Sequence, residues 1–349
     1  MNAQAYAQTI QNPKNLKWYE KNECAGKFWL KVTLVLVGAF YRPFLRPILR
    51  FCIAFVTGVY FVCCKNERRN IEQFYANLAQ FSTHSNLKNR FWLQRVWQAY
   101  GNFYEFGNAI CDKIAAWLGK LGQKDIEIIN TEFIQKELIS QPNDAKSKKG
   151  QILVVSHFGN IEVCRAMRNV AGEIPLVILM YEKIAQDFIA LLKSISSGKE
   201  HHKTPKKDLG IMLIDELDMD SILRLKDLCE SGVNIGIMGD RVAIANNGML
   251  HKSKNAKFDF LGKPCLFPQG AFLLSGILNA KISMLWCEKI NGKYHIELES
   301  ISTNPVRFSA GKSKENQVKE LMQKYVDSLQ KRVINNPKSW FNFYDFWEA

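Results

Sequence analysis

The stretch Gln151-Ile-Leu-Val-Val-Ser-His-Phe-Gly-Asn-Ile-Glu162 passes from an unbroken apolar run through a turn into a segment that begins like a helix. A short apolar run without alternation is the pattern of a strand buried on both faces, as in a parallel sheet covered by helices. Gly159 permits a sharp turn, Asn160 is a good N-cap, and Glu162 falls in the first helical turn, where the helix dipole favours a carboxylate. The stretch predicts strand, turn and helix, with His157 and Glu162 presented at the carboxyl end of the strand.

The same alternation extends in both directions from it. Strands are expected at Gln151 to Val155, Pro175 to Met180, Gly210 to Ile214, Val233 to Met238, Phe258 to Leu261, Lys281 to Glu288 and Tyr294 to Ser300. Helices are expected between them at about Asn160 to Gly172, Ala185 to Ser196, Leu217 to Ser231 and Gln269 to Leu278. This predicts an α/β fold with a mainly parallel central sheet flanked by helices. In such sheets ligands bind beyond the carboxyl ends of the strands, which directs attention to the loops. Upstream, Glu67 to Leu118 reads as long helical stretches whose aromatic residues recur at three and four, the spacing of a buried helix face.

The N-terminal part differs in character. Between Glu23 and Glu67 stand six basic residues (Lys27, Lys31, Arg42, Arg46, Arg50 and Lys65) and no acidic one. They are interleaved with two apolar runs, Val32 to Tyr41 (10 residues) and Phe51 to Cys64 (14 residues). Both runs are shorter than the roughly 20 residues a spanning helix needs. With Pro43 and Pro47 between them, we expect a hydrophobic helical hairpin lying in a membrane interface, its arginines at anionic headgroups. Residues 1–66 thus form a membrane-associated helical segment and 67–349 an α/β domain.

The 349 residues carry 47 Lys+Arg against 33 Asp+Glu, a net charge of +14, and 47% are apolar, which is the composition of a packed basic protein. Nucleic-acid recognition would need a basic module with interleaved aromatics, and none is present, so no nucleic-acid partner is expected. Nine cysteines occur without a CxxC pair or a zinc-finger spacing, and the first 27 residues lack a signal-peptide core. A reducing cytosolic setting without structural metal is the expectation.

Of the six histidines only His157 has an acid at close spacing in a turn after a strand. Imidazole is the side chain best poised to take a proton near neutral pH, and a carboxylate can orient it and stabilise the imidazolium. No GxSxG nucleophile elbow is present, so His157 is expected to activate the acceptor itself.

The block His157-Phe-Gly-Asn-Ile-Glu162 resembles the H-x4-D/E motif of the lysophospholipid acyltransferase superfamily, and the chain is similar to its lipid A biosynthesis late acyltransferase branch. Gly239-Asp240-Arg241, Phe260-Leu-Gly-Lys-Pro264, Phe267-Pro-Gln-Gly270 and the aromatic tail Trp340 to Trp347 follow in matching order. The resemblance covers roughly residues 17 to 347. It implies an acyltransferase in which His157 is the general base and Glu162 its orienting acid. The donor would be an acyl carrier protein or coenzyme A thioester. The acceptor would be a hydroxyl or amine of a lipid or glycolipid, at the cytoplasmic face of the inner membrane, with no cofactor or metal. Gly159, Asn160, Lys183, Asp240, Arg241, Gly262 and Gly270 are the implied substrate-binding positions. Lys183 stands where late lipid A acyltransferases carry an Arg, and Gln269 where glycerolipid branches carry a Glu. Two alternatives stay open: a hydrolase using the same His and Glu on a thioester, and a catalytically inactive module that docks acyl carrier protein.

Overall fold

The computed structural model describes residues 37, 39, 41, 43–81, 92–138, 149–167, 174–180, 211–213, 219–242 and 255–347. Its contacts group into two compact units. One holds residues 1–111, 241–268 and 341–349, and the other holds 112–240 and 269–340.

The second unit is α/β. Its seven strands are β1 (Ile126–Ile128), β2 (Ile152–Val155), β3 (Leu176–Met180), β4 (Ile211–Leu213), β5 (Asn234–Met238), β8 (Ile282–Ile290) and β9 (Lys293–Ser300). They lie in the order β1-β9-β8-β2-β5-β3-β4. Every neighbouring pair is parallel except the β8/β9 hairpin. That hairpin turns on Asn291 and Gly292, whose φ values of 50° and 85° are the pair of positive values a tight type I′ turn requires. The sheet agrees with the expected mainly parallel α/β architecture. The strands at 175–180, 210–214, 233–238, 281–288 and 294–300 appear within one or two residues of where the sequence puts them. The helix expected at about 185–196 lies outside the described residues.

Helices cover both faces of the sheet. Trp286 of β8 stacks on Tyr325 of the helix α7 (Lys312–Asn335), with centroids 6.0 Å apart. Cys287, the next residue along the strand, points to the opposite face, beside Cys164 of the turn at Ile161–Met167. The alternation of strands and helices in the sequence does not reveal α7. Its apolar positions Val318, Met322, Tyr325, Leu329 and Val333 are all buried at three-to-four spacing, but Lys, Glu and Gln dilute them in the sequence. The helices α4 (Thr131–Leu138), α5 (Met219–Glu230) and α6 (Gly270–Ile277) complete this unit, and β2 at its centre is buried throughout.

The first unit contains α1 (Arg46–Cys63), α2 (Lys65–Phe81), the part of α3 (Trp92–Trp117) up to Cys111, and an antiparallel hairpin of β6 (Asn255–Phe260) and β7 (Lys263–Pro268). The boundary expected at residue 66 falls inside α2. α1 absorbs the second apolar run almost whole. Pro47 does not break it, because it lies in the first turn, where a missing N–H leaves nothing unsatisfied. The first apolar run lies outside the described residues except for Val37, Ala39 and Tyr41. α1 packs through Leu49, Ile53, Thr57 and Phe61. Gly107 of α3 makes close approach possible there, since a Cβ on it would stand 2.7 Å from the Thr57 methyl and 3.0 Å from Ile53 Cγ2. Among the described aromatic residues of the helical stretch Phe74, Tyr75 and Phe103 are buried and Tyr100, Tyr104 and Phe106 half-buried, and Phe103 and Phe106 meet Phe343 of the C-terminal tail edge-on. Phe81 and Trp97 are exposed, at 40% and 68%.

Candidate active site

The site begins with strand register. β2 and β5 run parallel with Val155 opposite Met238, so two residues further on His157 comes opposite Asp240. Gly239 N donates to Val155 O at 2.8 Å and carries the pairing across the strand ends. A Cβ on Gly239 would lie 2.5 Å from Val154 Cγ1 and 2.8 Å from the Tyr325 ring, so the bare backbone is required for this approach.

Asp240 then takes hold of His157 twice. The His157 backbone N–H donates to Asp240 Oδ2 at 2.8 Å, and Nδ1 lies 2.8 Å from Oδ1. The carboxylate is 2% exposed and the imidazole 31% exposed. A carboxylate only accepts, so the ring carries its proton on Nδ1 and its basic lone pair on Nε2. This is the arrangement of a general base with a fixed tautomer and a counter-charge for its protonated form.

The turn after His157 is pinned to β8. Gly159 has φ +74°, its N donates to Ser339 O at 2.7 Å, and an added Cβ would lie 2.0 Å from Cys287 O. Asn160 N donates to Cys287 O at 2.8 Å. Gly159 is therefore demanded by the backbone itself, because no side chain fits between the turn and the strand. The helix expected from Asn160 onward is a 3-10 turn over Ile161–Met167, bonded i to i+3 from its first residues, as in Val163 N to Asn160 O.

Glu162 is bonded to Lys113 of α3, not to the imidazole. Burial pushes the Glu162 carboxyl up. The charge and hydrogen bond of Lys113, with a smaller contribution from His157, outweigh that and hold it below its ordinary value. The hydrogen-bonded partner of His157 is thus Asp240, which the resemblance places among the substrate-binding positions, and Glu162 acts on the ring only as a nearby charge. The reason is geometric: adjacent parallel strands bring their ends side by side, whereas the turn sends Glu162 toward α3.

A second polar cluster lies next to it. Asp112, one residue before Lys113, accepts from Lys289 Nζ at 2.5 Å and from Tyr294 Oη at 2.7 Å, and Asn160 Nδ2 donates to Tyr294 Oη at 3.4 Å. Burial and then the Asp112 charge push the Tyr294 hydroxyl well above its usual value, so it stays a donor. Asn160 is 4% exposed and belongs to this buried network. Sequence reasoning misses Asp112 and Lys113. Their signal is an adjacent pair of opposite charges within the apolar run Ala109 to Trp117.

In the first unit, the Arg241 guanidinium lies 4.5 Å from the centroid of the Tyr344 ring and donates to Phe341 O at 3.4 Å. Gly262, with Leu261, forms the two-residue turn of the β6/β7 hairpin; both have positive φ. Gly270 is the first residue of α6 and is exposed. Lys183 lies outside the described residues. Among the described residues, no group of three or more His, Cys, Asp or Glu is placed to hold a metal ion. Comparison with protein-family models and with curated proteins gives no match.

Proposed function

We propose that this protein is an acyltransferase that moves a fatty acyl group from an acyl carrier protein or coenzyme A thioester to a hydroxyl or amine of a lipid or glycolipid. The observation that carries the reading is the double hold of Asp240 on a partly exposed His157 at the carboxyl end of β2. Nε2 of His157 takes the proton of the acceptor hydroxyl as its oxygen attacks the thioester carbonyl. The imidazolium is stabilised by Asp240. The tetrahedral intermediate collapses, the carbon–sulfur bond breaks, and the departing thiolate takes the proton back from Nε2. The net change is one ester or amide formed and one thioester lost.

The acceptor class is supported by α1. Ile48, Phe51, Phe55, Val59 and Val62, each between 48% and 74% exposed, form one stripe at three-to-four spacing along it, and Phe44, 93% exposed, stands in the turn just before it. Arg46 and Arg50 stand at one end of α1, and Lys65, Arg68 and Arg69 follow the other. An apolar stripe with cations at both ends suits the interface of an anionic membrane, where a lipid acceptor resides. The stripe supports attachment to a membrane surface, and our proposal takes that surface to be the cytoplasmic face of the inner membrane, as the resemblance implies.

The test incubates the protein and its His157→Ala variant with radiolabelled acyl carrier protein and total membrane lipid. A labelled lipid formed only by the unmodified protein is the expected product. Free fatty acid alone identifies a hydrolase, and acyl-carrier binding without a His157-dependent product identifies a docking module.

A further inference from the structure

Val155 is the last residue of β2, yet the backbone N–H groups from His157 to Asn160 all find acceptors. His157 N donates to Asp240 Oδ2 at 2.8 Å, Phe158 N to Ser156 Oγ at 3.1 Å, Gly159 N to Ser339 O at 2.7 Å and Asn160 N to Cys287 O at 2.8 Å. Ser156, Phe158 and Asn160 are 3%, 2% and 4% exposed, whereas the imidazole of His157 between them is 31% exposed. The loop is a tied-down frame that presents one side chain.

Three of these holds come from the sheet and from the loop itself. The fourth comes from the segment after α7. Ser339 ends the 3-10 turn Pro337–Ser339, and the next residue, Trp340, pairs with Phe158 as a single antiparallel rung. Trp340 is 1% exposed, and the Phe158 ring meets Trp286 of β8 edge-on at 6.1 Å. The segment is itself anchored: Asn336 N donates to Arg332 O at 2.8 Å, and Asn336 Nδ2 donates to Glu288 Oε1 at 2.8 Å, next along β8 from the Cys287 that holds Asn160. The run from Asn336 to Trp340 thereby fastens the His157 loop to α7 and β8. A single rung has no ladder on either side to support it, so it depends on its paired side chains and on the Asn336 anchor.

A general base works only where its lone pair meets the proton, and a displacement of about 1 Å costs roughly 10²-fold in rate. We propose that Trp340 is a positioning residue whose rung with Phe158 holds the imidazole of His157 in place for proton transfer. Its part in turnover rests on the acyl-transfer reading above, whereas its hold on the loop does not.

The test compares Trp340→Ala, Trp340→Phe and Asn336→Ala in the full-length protein in detergent, by hydrogen exchange with peptide mapping and by initial rates of acyl transfer. In Trp340→Ala the amides of Phe158 and Gly159 should exchange about tenfold faster, the effect of losing roughly one hydrogen bond, while those of β2 and α7 keep their protection. kcat should fall about 10- to 100-fold with KM for the acyl thioester unchanged. Trp340→Phe, which keeps an aromatic ring at the rung, should recover most of both. Asn336→Ala should loosen the same two amides, and it carries the test if Trp340→Ala does not fold. Equal loosening of β2, α7 and the loop, undisturbed Phe158 and Gly159 amides in the folded variants, or a loosened loop with unchanged kcat overturns the proposal. If the loop loosens as expected but no form of the protein transfers acyl groups, the hold of Trp340 stands and the acyl-transfer mechanism falls.

Discussion

Asp240 holds His157 by both its backbone N–H and its ring Nδ1, each at 2.8 Å, from a carboxylate that is 2% exposed. One group thus fixes the loop and the tautomer together. An amide in its place offers only one accepting oxygen, so either the backbone N–H or the ring loses its acceptor. Asp240→Asn should therefore lower the transfer rate by about 10²–10⁴, the usual contribution of a correctly oriented general base. Glu162→Gln should lower it less, because Glu162 does not bond the ring. Both are checked by initial rates of lipid labelling beside His157→Ala.

Gly159→Ala should destabilise the second unit by roughly 3 kcal/mol or more, through backbone strain and the displaced strand contact. Its Cβ would meet Cys287 O at 2.0 Å. Gly292→Ala provides the comparison, since Gly292 also has positive φ but nothing lies within 4 Å of an added Cβ. It should lose only about 1 kcal/mol from the backbone conformation. Urea unfolding of the two variants separates steric demand from conformational demand.

The ion pair of Glu162 with Lys113 sets an acid limit. Because the folded carboxyl titrates below its ordinary value, the pair stabilises the fold fully above the ordinary carboxylate range, and that contribution is lost as pH falls through the lowered value. The Tm of the unmodified protein should fall more steeply below about pH 4.5 than that of Glu162→Gln, which has no proton to take up there. Thermal melts between pH 7 and pH 3.5 test this, and equal slopes would sink it.

The stripe on α1 faces away from the residues that α1 buries. Replacing Phe51 and Phe55, which are 74% and 67% exposed, with Ser should weaken binding to anionic vesicles at least tenfold. It should leave the unfolding midpoint nearly unchanged, since neither side chain is core. Flotation with vesicles of phosphatidylcholine and phosphatidylglycerol measures the first, and thermal unfolding the second.

The local strands and the turn at Gly159 are written in the sequence. Ile152 to Val155 is apolar without a break because both faces of β2 are covered, and a chain reversal beside β8 leaves room only for glycine. His157 is legible for the same reason: it follows a strand, where a parallel sheet presents its chemistry. The sequence could not say which acid reaches the imidazole. Glu162 is five residues away and Asp240 is 83, yet Asp240 makes the bond. Pairing of β2 with β5 is a non-local event, and its register alone brings 157 opposite 240. The partner of Glu162 is hidden likewise, since Lys113 lies 49 residues upstream on a helix with no local reason to meet it. Periodicity and turn chemistry act over a few residues and fix elements. Charge pairing acts through space, so its outcome was decided only when the sheet and α3 brought these groups together.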